Sequence, residues 1–151
     1  MRFFTENEAE TFDFREAHVR EIRFGPGFFN MLLDNVEILE NNSHNRDVRT
    51  MRTNGLLFRI LNPQIVAVTE EGYKIYNADG VLQQEVPDRQ AEPKEYAKLC
   101  GQMEDAVVFE LKREDSCYRI SVEAEEHAYI LEVQGSGDSE EWERFMNVTE
   151  I

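Results

Sequence analysis

The sequence predicts a mostly β protein: an antiparallel two-sheet sandwich or partly open barrel of about nine strands, with two short helices at about 93–103 and 139–147. Three observations point there. Residues 106–134 fall into three runs that alternate apolar and polar side chains, Ala-Val-Val-Phe-Glu-Leu-Lys, Cys-Tyr-Arg-Ile-Ser-Val-Glu-Ala and Ala-Tyr-Ile-Leu-Glu-Val-Gln. Turn-forming residues punctuate the rest of the chain, and no heptad or internal repeat competes with that rhythm.

The three runs set the pattern. Alternation at period two buries one face of a strand and wets the other. Tyr118, Ile120, Val122 and Ala124 share a face, matched by Val107, Phe109 and Leu111 before them and by Tyr129, Leu131 and Val133 after them. The breaks at 113–116 and 125–127 have hairpin lengths, so the segment reads as a meander.

Earlier segments follow in order. Thr5-Glu6-Asn7-Glu8 has the spacing of a helix capping box, whereas Phe12 and Phe14 read as extended. His18–Phe24 is a strand, turned by Gly25-Pro26-Gly27 into an apolar run from Phe28 to Leu39. The parity of that run changes between Leu33 and Val36, so a bulge is expected near Asp34-Asn35. Asn41–Asn45 is a loop, and Asn54-Gly55 is the best hairpin turn in the chain. Leu56–Leu61 is a strand stopped by Asn62-Pro63. Ile65–Thr69 is continuously apolar and predicts burial on both faces. Tyr73–Asn77 and Val81–Val86 are strands joined by Ala78-Asp79-Gly80.

Two helices complete the expectation. Pro93 suits a first helical position, and Tyr96, Leu99, Cys100 and Met103 repeat at helical spacing. Further on, Asp138 with Glu141 reads as a capping box, with Trp142, Phe145 and Met146 as an apolar stripe and Glu140–Arg144 as an i, i+4 pair.

The 151 residues fit one domain over 1–151, large enough to fold without a metal or disulfide staple. Cys100 and Cys117 have no partner spacing and read as reduced thiols. The opening residues turn acidic where an export signal has its apolar core, which predicts a cytoplasmic protein. No run approaches the ~20 apolar residues of a membrane helix. A net charge of −15 disfavours nucleic-acid backbones and anionic membranes, and permits steering towards a basic protein.

Reaction motifs are missing: no nucleophile elbow, phosphate loop, zinc signature or dinucleotide fingerprint occurs. His18, His44 and His127 have no short metal-ligand spacing, and no catalytic set, metal or cofactor is predicted. Arg46, Arg49, Arg52 and Arg59 are the one basic cluster and read as counter-charge. The leading functional expectation is a non-enzymatic protein-binding module, immunity-like or adaptor, of a bacterial type. Its acidic face would be drawn from Glu123, Glu125, Glu126, Asp138, Glu140 and Glu141. An apolar-ligand barrel lined by inward Phe and Tyr is the alternative, followed by a hydrolase using carboxylates with His18 or His127.

Overall fold

Two long antiparallel ladders organise the molecule, one broken where the chain changes sheet and the other creased within a single sheet. The computed structural model describes residues 2–148. In chain order the strands are β1 (Phe3–Glu6), β2 (Phe12–Asp13), β3 (His18–Gly25), β4 (Phe28–Asp34), β5 (Val36–Ile38), β6 (Met51–Thr53), β7 (Leu56–Leu61) and β8 (Gln64–Glu70). They continue as β9 (Tyr73–Tyr76), β10 (Leu82–Val86), β11 (Arg89–Gln90), β12 (Val107–Glu114), β13 (Cys117–Glu123), β14 (Ala128–Gln134), β15 (Gly137–Trp142) and β16 (Met146–Asn147). One helix, α1 (Tyr96–Gln102), follows a 3-10 turn at Pro93–Glu95. The fold is mostly β and antiparallel throughout, as the alternation requires.

The first ladder pairs β4 with β7 and then β5 with β6. Its break lies at Asn35 and Asn54-Gly55, where Asn35 and Gly55 take positive φ and the Asn35 N–H donates to Asn54 Oδ1 at 2.8 Å. The expected parity change after Leu33 is therefore real, with Phe29, Met31, Leu33, Val36 and Ile38 all buried. Its cause is a change of sheet. Asn54-Gly55 likewise turns the chain from one sheet into another and is not a hairpin tip.

The second ladder pairs β7 with β15 and then β8 with β14. It creases at Asn62-Pro63 opposite Gly135-Ser136, where Ser136 N–H donates to the Leu61 carbonyl at 2.9 Å. Gly135 is required there, because a Cβ would overlap Ile60 Cγ2 and sit 3.0 Å from the Leu61 oxygen. Gly135→Ala is expected to cost about 1–3 kcal/mol by overpacking the crease. A denaturation midpoint unchanged from the parent would show the crease to be more yielding than this.

These creases give a ten-stranded sheet, β1-β15-β7-β4-β3-β12-β13-β14-β8-β11, and a four-stranded sheet, β16-β6-β5-β2. The halves of the large sheet meet across the core, with the Phe58 ring 6.2 Å from that of Tyr118. The small sheet adds Phe12, whose ring stands edge-on to Trp142 at 5.3 Å. Trp142, Tyr118, Tyr129, Phe29, Phe58 and Ile22 fill the interior. The layout is sandwich-like. Helix α1 lies against β3, with Leu99 and Met103 buried and Tyr96 5.2 Å from the Phe24 ring, as its spacing predicts. Among the described residues no helix is long and apolar enough to cross a membrane.

Several expectations need correction. The helix at 139–147 does not form: Gly137–Trp142 is strand β15 and Met146–Asn147 is strand β16. A slot between β1 and β7 satisfies the backbone of β15, and that tertiary pairing outweighs a local capping signal. Asp138 is therefore no cap, and Glu140 and Arg144 are not an i, i+4 pair. The Thr5 capping box is likewise replaced by β1, followed by a 3-10 turn at Ala9–Thr11 with no side-chain cap. Phe109 is exposed, because a register shift between Val108 and Glu110 gives its inward place to Val108. β8 is not buried on both faces, since Val66 points to solvent. Among the described residues sixteen short strands replace about nine: a sheet change divides the Phe28–Leu39 run into β4 and β5, and short strands form in segments that read as helix or loop, among them β1, β11, β15 and β16.

Candidate functional site

The strands β9 and β10 bond to one another and to no other strand, so they leave the body as a two-stranded ribbon. Its tip is built by Asn77, whose Oδ1 accepts the Asp79 and Val81 N–H groups at 2.9 and 3.0 Å. Gly80 supplies the positive φ that this tight turn needs. At the root, Gly72 N–H donates to Asp88 Oδ1 at 2.7 Å, and a Cβ on Gly72 would overlap the Val86 carbonyl oxygen. Both ends of the ribbon are thus held in shape.

Its side chains are unusual for a solvated element. Tyr73, Ile75, Tyr76, Val81 and Leu82 are 44–56% exposed. Tyr73 and Ile75 lie on one face with Val86, while Tyr76 and Leu82 lie on the other beside the Lys74–Glu85 pair, 3.8 Å apart. An isolated hairpin is marginal in water, and clustered exposed apolar groups mark contact surfaces.

Beside the ribbon root lies a cleft of about 260 Å³, lined by Glu71, Gly72 and Tyr73 on one side and residues 123–128 on the other. Glu71, Glu123, Glu125 and Glu126 contribute carboxylates that make no ion pair or side-chain hydrogen bond among the described residues. His127 also lines it, with Nδ1 3.4 Å from Glu70 Oε1. Three of the six residues expected to form an acidic face therefore meet here.

The other three do not join them. Glu141 pairs with Arg2 at 2.9 Å along a separate groove of about 500 Å³. Asp138 and Glu140 are fully buried, which removes them from any exposed face. They alternate along β15 and point inwards with Trp142. Tyr118 Oη donates to Asp138 Oδ2 at 2.5 Å, Ala9 N–H donates to Oδ1 at 3.2 Å, and Arg113 Nη1 stands 3.5 Å from Oδ2. Glu140 Oε1 accepts from Thr5 Oγ1 at 2.8 Å.

Burial first, then the hydrogen bond and charge of Asp138, push Glu140 up to about 10. Its Oε2 has no hydrogen-bond partner among the described residues, and a proton held on the carboxyl removes the need to bury its charge. Burial and the bond to Asp138 likewise raise the Tyr118 hydroxyl well above its usual value. This network ties β1 and the turn after it to β13 and β15.

The histidines share no partner. His18 opens β3, with Nε2 2.9 Å from Asp105 Oδ1 and Nδ1 3.7 Å from Asp34 Oδ2. Burial alone would raise Asp34, but Arg20 and the Gly55 N–H outweigh it and hold the carboxyl below its usual range. His44 Nε2 meets the Phe4 carbonyl at 2.9 Å. Cys117 opens β13, a strand of 7 residues, and His127 lies just past the bend beyond its far end, roughly 20 Å away at about 3.3 Å per residue. Among the described residues no group of His, Cys, Asp and Glu could hold a metal ion. Of the arginines, Arg49 donates to Asn147 Oδ1 at 2.6 Å and not to a carboxylate.

No protein-family model, curated protein or solved structure matches this chain. The site therefore rests on its own geometry. Sequence reasoning identified both ribbon strands and the Glu123–Glu126 turn, but missed that the ribbon stands uncovered. The unbroken alternation Tyr-Lys-Ile-Tyr looks the same whether a second layer covers it or not.

Proposed function

We propose that this chain is a non-enzymatic protein-binding module that presents the β9–β10 ribbon to a basic partner. One observation carries the reading: a shaped, projecting ribbon whose large apolar side chains face water on both faces. Aromatic anchors of this kind dominate binding energy at protein interfaces. The unpaired carboxylates at the ribbon root and the net charge of −15 favour a cationic partner and speed its encounter. The core, filled by its own aromatic rings, favours surface recognition over an enclosed apolar ligand.

The test is photo-cross-linking from a reactive residue at position 76, with position 28 on β4 as control, followed by identification of the products. A basic protein captured from 76 and not from 28 is expected. The double substitution Tyr76→Ser, Leu82→Ser should weaken that complex by about 30-fold or more, given about 2 kcal/mol for loss of hot-spot anchors. The same change should cost at most about 1 kcal/mol of stability, the range of a single cross-strand pair such as Tyr76 with Leu82. Equal products from both positions, or none from either, would overturn the reading.

A further inference from the structure

Resting on the ribbon as the recognition element, we infer that the open edge of β9 receives an extended basic segment of another protein as a third strand. β9 pairs with β10 along one side, which leaves the backbone of its other side unpaired by any strand. Such an edge is a template for strand addition. The two open edges of the ribbon are not equivalent. β10 runs directly into Pro87, which has no N–H to offer, and then into Asp88, whose side chain is committed to Gly72. β9 has no such block, and its root opens onto the acidic cleft through Gly72 and Tyr73.

The chemistry of the incoming segment follows from what it would meet. A strand beside β9 sets alternate side chains against Tyr73 and Ile75, so those positions are apolar. Where it passes the root it enters the cleft of Glu71, Glu123, Glu125 and Glu126, which have no cation of their own among the described residues. Lysine or arginine at the intervening positions or at that end supplies the missing charge. A second copy of this chain fits poorly, because association would bring two bodies of net charge −15 together with the same carboxylates at the contact. The occupant is thus an alternating apolar and basic strand, matched in length to the 4 residues of β9 and the cleft beyond.

The probe is a synthetic peptide of about eight residues alternating valine and lysine, long enough to span a short strand edge. It is titrated into the full chain while backbone amide NMR shifts are followed. Shifts concentrated at residues 71–76 and 123–128 are expected, with binding weakened about tenfold between about 0.05 M and 0.3 M salt as screening grows. Glu123→Gln, Glu125→Gln, Glu126→Gln together should weaken it by a similar factor, while a valine–glutamate peptide should not bind. A lysine peptide N-methylated at alternate residues keeps its charge but cannot form the ladder, and should lose binding. Equal binding of the N-methylated peptide, binding of the glutamate peptide, or sedimentation as a ribbon-dependent dimer would each overturn the inference. If position 76 cross-links a basic partner but the lysine peptide leaves β9 unshifted, strand addition fails while the ribbon's binding role stands.

Discussion

Asp138→Ala is expected to destabilise the protein by about 3–5 kcal/mol, the cost of breaking a buried, hydrogen-bonded charge network by removing one member. Asp138 is fully buried on β15 and accepts from Tyr118 Oη at 2.5 Å and from Ala9 N–H at 3.2 Å. Alanine would strand both donors away from water, and a stranded buried donor costs about 1–3 kcal/mol. Arg113, whose guanidinium also lies 5.4 Å over the Tyr118 ring, would lose its nearest carboxylate. Tyr118→Phe removes one bond of the set and should cost less, about 1.5–3 kcal/mol for a hydrogen bond to a charged group. Glu141→Ala, three residues along, breaks an exposed pair with Arg2 and should cost less than about 1 kcal/mol. Urea denaturation of the three variants separates these cases. A loss at Asp138 no larger than that at Glu141 would mean that the network is not what holds β1 and β15 together.

The same residues show what the sequence could and could not reveal. In the meander, inward positions are apolar and outward ones polar, so Tyr118, Ile120 and Val122, and Tyr129, Leu131 and Val133, were legible as core. Helix α1 was legible because Pro93 marks its start and one face repeats at 96, 99, 100 and 103. β15 also alternates, but its inward set is Asp138, Glu140 and Trp142. Charged residues at core positions invert the expected pattern, and only distant partners on β1 and β13 make them tolerable. Phe109 was misplaced for a subtler reason. A one-residue register shift reverses every side chain beyond it, and the run Val-Val-Phe fits either parity. At the ribbon the limit was different again. Strand identity is local, whereas exposure depends on whether a second layer covers the strand. No residue within Tyr73–Val86 encodes that.

Glu140→Gln is expected to stabilise the protein in alkaline solution and flatten its response to pH. The folded protein holds the Glu140 proton up to about pH 10, whereas the unfolded chain releases it near the ordinary value of 4.5. Between those limits the folded state binds more protons than the unfolded state, so stability falls as pH rises. The contribution is fully present below about 4.5 and is lost as pH climbs through the folded value. Its steepest slope is about 1.4 kcal/mol per pH unit, or at most about 4 kcal/mol between about pH 6 and pH 9. Glutamine has no proton to lose. Its amide oxygen can still accept from Thr5 Oγ1, and the side chain stays neutral at every pH, as burial favours. Parent and variant should therefore have similar stability below about pH 5 and diverge steadily above it, with the variant the more stable. Denaturation curves collected across that range give the difference directly, and contributions from titrating groups that do not interact with Glu140 cancel in it. If the two stability profiles instead run parallel from acid to alkali, Glu140 does not carry a buried proton.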